Sequence, residues 1–213
     1  MYFDYGEKEI EYLKAKDKKL AAAIERIGHI NREVDNDLFS SVIHHIIGQQ
    51  ISTAAQVTVW KRLSEKMETI NEDNVLTLDK DELQSVGITY RKADYILDFA
   101  RKVKDGSFDI FALEDMTDDE VIKELSSLRG IGIWTAEMIM TFCMRRPDVV
   151  SFGDLAILRG MRMLYRHRKI DKIKFHRYRK RYSPYGTVAS LYLWAIAGGA
   201  LPELTDPAAE KRK

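Results

Sequence analysis

Apolar residues recur at steps of three and four along most of this chain, the spacing that lines one face of an α-helix. The stretch KKLAAAIERIG follows this spacing and ends on Gly28, a residue type suited to the turn that closes a helix. DLFSSVIHHIIGQQ predicts a helix that stops near Gly48, and Ser52 is placed to cap the following TAAQVTVWKRLSEKM. Asp79 or Thr77 opens a short helix closing at Gly87, and Thr89 caps YRKADYILDFARKV, which ends before DGS. In TDDEVIKELSSL, Thr117 and Glu120 make a capping box, with acids in the first turn where the helix dipole favours them. That helix stops at Arg129–Gly130 and a second starts near Ile133. After RPDVVSFGD, helix resumes in DLAILRGMRMLYR, and TVASLYLWAIAGG is the last apolar run. Only PDVVSF alternates enough to suggest a strand. The reading is an all-α fold of two helical lobes, about 30–104 and about 105–200, parting near Lys104–Ser107. The N-terminal segment is free to return onto the second lobe, and the polar tail LPELTDPAAEKRK is expected to fray.

Composition excludes more than it selects. At 45% hydrophobic, 31% charged and a mean hydropathy of −0.32, the chain is an ordinary globular one. The single Cys143 rules out a disulfide framework, a four-cysteine zinc site and a cysteine-held iron–sulfur cluster. MYFDYGEKEI lacks the basic and then apolar order of a signal peptide, and no run of eighteen apolar residues occurs. The expectation is a soluble intracellular protein, cytoplasmic and nucleoid-associated in a prokaryote, not secreted and without a membrane partner. Net charge is only +1, yet RHRKIDKIKFHRYRKRY, residues 166–182, carries nine Lys/Arg against one acid. That run could face a nucleic acid, with Tyr178 and Tyr182 interleaved, or be a solvated helix face.

The stretch LRGIGIWTAEMIM sets two glycines at the mouth of an apolar helix. Two helices joined by LRGIG form a helix–hairpin–helix, and Gly130 and Gly132 keep the backbone on either side of Ile131 bare. The loop feeds straight into a helix N-terminus, where unpaired N–H groups and the dipole favour an anion such as phosphate. A plain helix cap followed by a tight turn fits the same short motif.

The surrounding words narrow the choice. LRGIGIWTAEMIM followed by RPDVVSFGDLAILRGM resembles the core of the helix–hairpin–helix/Gly-Pro-Asp superfamily of DNA glycosylases. IIGQQIS, GITYRKADYI and PYGTVASLYLW match, in the same order, the 3-methyladenine DNA glycosylase II subgroup, so the likeness runs from about Lys18 to Trp194. The resemblance implies a base-excision repair enzyme that hydrolyses the N-glycosidic bond of alkylated purines, with the active-site cleft between two lobes. Its substrate is double-stranded DNA containing a damaged base, and it acts as a monomer.

The residue roles implied are these. Asp154, opening DLAILRGM, is the catalytic carboxylate that faces the oxocarbenium-like sugar; from the residues alone it could simply cap that helix. Trp134 occupies the position where strand-cutting relatives carry a Schiff-base lysine, so no lyase activity is expected. Trp134, Met138 one turn along and Trp194 form the base pocket, whose electron-rich faces suit a cationic alkylpurine. For each tryptophan the alternative is core packing, left open for Trp194, while for Trp134 the pocket is the preferred reading. Arg129, Gly130, Ile131, Gly132 and Thr135 bind DNA, and Gln50 fills the gap left by the flipped base while Gln49 braces the interior. No cofactor is required; the hairpin carbonyls could hold a monovalent cation. His44 and His45 point to different helix faces without a carboxylate or cysteine at ligand spacing, so no metal is assigned to them. Two positions depart from the family pattern: Arg129 replaces a proline, and Gly186 stands where an arginine is usual, for which the basic run is a candidate substitute. Oxidised, deaminated or mismatched bases are alternative substrates on the same fold, and a non-catalytic DNA-binding module is the alternative outside enzymology.

Overall fold

The computed structural model is described for residues 1–209, and among these it contains twelve α-helices and no strand, PDVVSF included. An isolated bridge between Tyr2 and Glu33 is the one β-type pairing there. The helices are α1 (Glu7–Lys16), α2 (Lys18–Ile27), α3 (Leu38–Gly48), α4 (Thr53–Lys66), α5 (Glu72–Val75) and α6 (Lys80–Ser85). They continue with α7 (Tyr90–Lys104), α8 (Asp118–Ser127), α9 (Ile133–Phe142), α10 (Leu155–Tyr165), α11 (Lys172–Tyr182) and α12 (Gly186–Ala197).

The chain divides into two units, and the division does not fall near residue 104. One unit is Asp35–Met144; the other joins Met1–Val34 to the chain from Arg145 onward. The hairpin helices α8 and α9 therefore belong with the helices before them, because α9 packs on α3 inside the first unit. The N-terminal segment does return to the C-terminal helices, as α1 and α2 pack on α10, α11 and α12.

In the 35–144 unit, α3 is central and packs on α4, α7 and α9. It buries Val42, Ile43, Ile46 and Ile47, and Phe39 stacks on Phe99 of α7 with ring centroids 4.9 Å apart. Burial of this kind stabilises by about 25 cal/mol per Å² of apolar surface. Local capping sets the helix starts. Ser52, Asp79, Thr89 and Thr117 each accept a main-chain N–H at the head of α4, α6, α7 and α8, worth about 1 kcal/mol apiece.

In the other unit, α10 crosses α12 so closely that a Cβ on Gly160 would lie 2.2 Å from the Leu193 carbonyl oxygen. Only a glycine permits that approach. Around this crossing sit Leu13, Leu20, Ile157, Met161, Tyr182, Tyr192 and Ile196. The basic run is mostly α11, and its tyrosines face inward: Tyr178 is 6% and Tyr182 0% exposed. They pack the core and are not surface rings available for base stacking. Tyr182 meets the Tyr165 hydroxyl at 2.6 Å, Tyr165 donates to Asp17 at 2.9 Å, and Arg181 donates to the same carboxylate at 2.8 Å. The tail is also better held than its polarity suggests. Leu201 is buried, and Arg162 grips Asp206 through Nε and Nη2. The last four residues of the stretch expected to fray, 210–213, lie outside those described.

Candidate functional site

The hairpin lies wholly within the 35–144 unit. Gly130 adopts φ +86°, and a Cβ there would stand 2.2 Å from Cδ2 of Tyr95. Its bareness is thus explained by an internal neighbour, the Tyr95 ring packed against the loop. Gly132 differs: its φ is −98°, and nothing lies within 4 Å of where its Cβ would be. No side chain caps α9, in contrast to α4, α6, α7 and α8. An open approach therefore leads to an uncapped helix N-terminus, the arrangement that suits an anion.

The elements behind the loop hold it in place. Gln49 donates from Nε2 to the Gly130 carbonyl at 2.7 Å, so it braces the hairpin from the end of α3. Lys92 donates to the carbonyls of Ile47 and Gln49 at 2.8 and 2.6 Å, satisfying the C-terminal end of α3. Burial lowers the Lys92 pKa from its ordinary range. Gln50 is exposed and held at φ +58°, a left-handed conformation that costs a non-glycine residue about 1 kcal/mol or more. Arg129 is exposed too, with its guanidinium 5.5 Å from the centre of the Tyr95 ring.

The side chains along α9 divide sharply. Ile133 and Trp134 are exposed, Trp134 by 46%. Thr135 and Ile131 are buried, which leaves their main-chain groups as what they can offer a ligand. Met138 is also buried, at 4%.

Asp154 and Trp194 belong to the other unit. Asp154 is the N-cap of α10: its Oδ1 accepts from the amides of Ala156 and Ile157, both at 2.8 Å. Capping is therefore real, and it fixes the carboxyl group of a residue that is 6% exposed. The loop leading to Asp154 is stitched to the head of α12 by contacts that pattern reading missed. Thr187 Oγ1 donates to the Arg146 carbonyl and accepts from Val149 N–H at 3.0 Å, and Ser190 donates to the Val149 carbonyl at 2.9 Å. Asp148 accepts from Ser183 Oγ at 2.6 Å and from the Gly186 amide at 3.0 Å. A Cβ on Gly186 would lie 2.6 Å from Asp148 Oδ1 and 2.7 Å from Val150 Cγ2. Asp148 thus closes over the bare backbone at Gly186 and leaves no room there for a side chain. The sequence signal was the pairing of PDVV with a polar T-x-x-S at a helix start, a non-local pattern. Trp194 is partly buried and packs against the core of its unit.

One cluster corrects the sequence reading of His44 and His45. Asp35, nine residues upstream, brings a carboxylate to them, and one donor atom from each of the three lies within 4.8 Å of the others. A helix wheel cannot show this, because Asp35 lies ahead of α3 and not on it.

Comparison with known proteins follows the same lines. YfjP of Bacillus subtilis is 27% identical over 173 residues, which are 76% of this chain and 59% of that protein, so the chain spans well under two thirds of this relative. DNA-3-methyladenine glycosylase 1 of Schizosaccharomyces pombe is 25% identical over 209 residues, covering 94% of this chain and 91% of its own length. The crystal structure of a DNA-3-methyladenine glycosidase from Bacillus halodurans superposes with a TM-score of 0.86 at 32% identity, over 95% of each chain. Residues 43–184 match the HhH-GPD superfamily base excision DNA repair protein family. With two thirds of its length inside that match, and the hairpin and the Asp154 helix both within it, the chain belongs to the HhH-GPD superfamily.

Proposed function

We propose that this protein is a monofunctional DNA glycosylase that hydrolyses the N-glycosidic bond of alkylated purines, of the 3-methyladenine DNA glycosylase II type. Likeness along nearly the whole chain to the Bacillus halodurans glycosidase supports the reaction class. The observation that carries the mechanism is the fixed carboxylate of Asp154. Two amides hold Oδ1, so the group is pre-oriented, and a pre-oriented anion stabilises an oxocarbenium-like sugar without reorganising at the moment of reaction. Water is the nucleophile and an abasic site the product. A cationic alkylpurine leaves readily, so an electron-rich ring suffices where a neutral base would need a strong acid; exposed Trp134 is that ring.

DNA is held by the open amides of the hairpin, and Gln50, already exposed on a strained backbone, enters the gap left by the flipped base. An indole at position 134 forms no imine, so strand cleavage does not accompany base release. The protein acts as a monomer and needs no cofactor. Leu128 and Gly130 carbonyls already accept from Ile131 N–H and Gln49, so a monovalent cation at the hairpin would share their second lone pairs.

The test is a panel of lesion oligonucleotides with and without alkaline strand cleavage. Release of 3-methyladenine or 7-methylpurines, visible as strand breaks only after alkali, is the expected result; release confined to uracil or 8-oxoguanine overturns the substrate class. Asp154→Asn keeps a helix cap and is expected to bind abasic DNA while excision falls about a hundredfold or more. Borohydride is expected to trap no protein–DNA adduct.

A further inference from the structure

We infer that Asp35, His44 and His45 form a binding site for a transition-metal dication of the zinc class, a structural site separate from the glycosylase chemistry. The three donors lie within 4.8 Å of one another. Donors around a tetrahedral ion with bonds of 2.0–2.1 Å stand about 3.3 Å apart. Closing that difference falls to rotation of the three side chains.

The surroundings are those of ligands already set in place. The Ser41 carbonyl can only accept a hydrogen bond, and it lies 2.9 Å from Nδ1 of His45. Nδ1 therefore carries the proton, and the lone pair of His45 is on Nε2, the atom left for an ion. Ser41 also donates from Oγ to Asp35 Oδ2 at 2.8 Å, which orients the carboxylate. One fully buried serine thus positions two of the three ligands, the role that outer-sphere hydrogen bonds play around metal centres. Among the described residues neither ring nitrogen of His44 has a hydrogen-bond partner, and its ring leans on Trp60 with centroids 4.7 Å apart. Gln56 fixes the His44 main chain by donating to its carbonyl at 3.0 Å.

The donor set selects the ion. Two imidazoles and one carboxylate suit Zn²⁺, Co²⁺, Ni²⁺ or Cu²⁺, whereas Ca²⁺ and Mg²⁺ demand oxygen ligands. Asp35 and His44 are only partly buried, which gives the ion a way in. Its effect is mechanical. Asp35 is the first residue of its unit and its amide donates to the Phe142 carbonyl at the end of α9. An ion there ties that segment to α3, the helix whose following residue, Gln49, braces the hairpin.

Untagged full-length protein, stripped with chelator, is titrated with Co²⁺ and then competed with Zn²⁺. One equivalent of Co²⁺ with a visible d–d spectrum displaced by Zn²⁺ is expected. Asp35→Asn and His45→Gln each weaken binding tenfold or more with an unchanged far-UV spectrum, and Ser41→Ala weakens it about 10–100-fold. His29→Gln and His176→Gln leave it unchanged. X-ray absorption of the wild-type zinc form gives a reading independent of any variant: two imidazoles and oxygen donors are expected. One imidazole or fewer, or a sulfur ligand, overturns the site, as does Co²⁺ binding equally well to His44→Asn/His45→Gln.

Discussion

The two glycines of the hairpin look alike in sequence and are different at the scale of single residues. Gly130 is bare because the Tyr95 ring lies on it and because φ is +86°; Gly132 has an ordinary φ and open space in front of it. Alanine at 130 meets both overpacking and left-handed strain, so Gly130→Ala is expected to lose about 2–4 kcal/mol in urea unfolding. Gly132→Ala is expected to cost under about 1 kcal/mol, yet to weaken binding to abasic DNA severalfold, because the methyl group stands where a phosphate would approach. If Gly132→Ala binds as tightly as wild type, the open face is not a DNA-facing one. Periodicity located both glycines, and the resemblance assigned both to DNA. Only the position of Tyr95, thirty-five residues upstream, separates their roles.

Helices were legible where their signals are local. Asp79, Thr89 and Thr117 sit at the starts they announce, since a capping side chain and the amides it serves are within three residues of one another. The helix in the basic run was hidden: Phe175, Tyr178 and Tyr182 do fall at steps of three and four, but cations crowd every gap between them. Those tyrosines also give an element-scale prediction. Burial, reinforced by the charge of Asp17, raises the hydroxyl pKa of Tyr165 and Tyr182 far above the ordinary value near 10. The unfolded chain gives up these protons above about pH 10 while the native state keeps them, so rising pH favours unfolding. The stabilisation is fully present below pH 10 and is lost as pH climbs past it. Melting temperature is expected to hold between pH 7 and 9 and then fall steeply. Tyr165→Phe/Tyr182→Phe, less stable at neutral pH for want of two hydroxyl bonds, should show a shallower alkaline fall. An equal fall in that variant would remove these two residues as the cause.

At the scale of the whole molecule, the boundary between units was the least legible feature, because it depends on which distant segments pack together. Nothing local at Val34 or Met144 marks the crossing, whereas DGS after α7 resembles a linker and is an ordinary turn within one unit. Charge, by contrast, could be read directly. The 166–182 run holds +8 in a molecule of net charge +1, so the remainder is acidic and its field would repel DNA. Some of that charge is already engaged inside the protein. Arg181 serves Asp17 and Lys174 pairs with Asp171, while Lys172, Arg177 and Lys180 are exposed on α11. Buried tyrosines fix the opposite side of that helix, so these three cations cannot turn inward. If they meet phosphates, each releases about one counterion, and log Kd rises with log salt by about 0.9 per contact. Lys172→Gln/Arg177→Gln/Lys180→Gln is therefore expected to bind abasic DNA more weakly at low salt and to flatten the salt dependence by about 2.7. The protein's melting temperature should change by a few degrees at most, since what is lost is the exposed cation–ring contacts of Lys172 with Phe152 and Arg177 with Tyr178. A salt slope identical to wild type would confine the phosphate contacts to other surfaces, the hairpin among them, and make the basic face of α11 a solvated one.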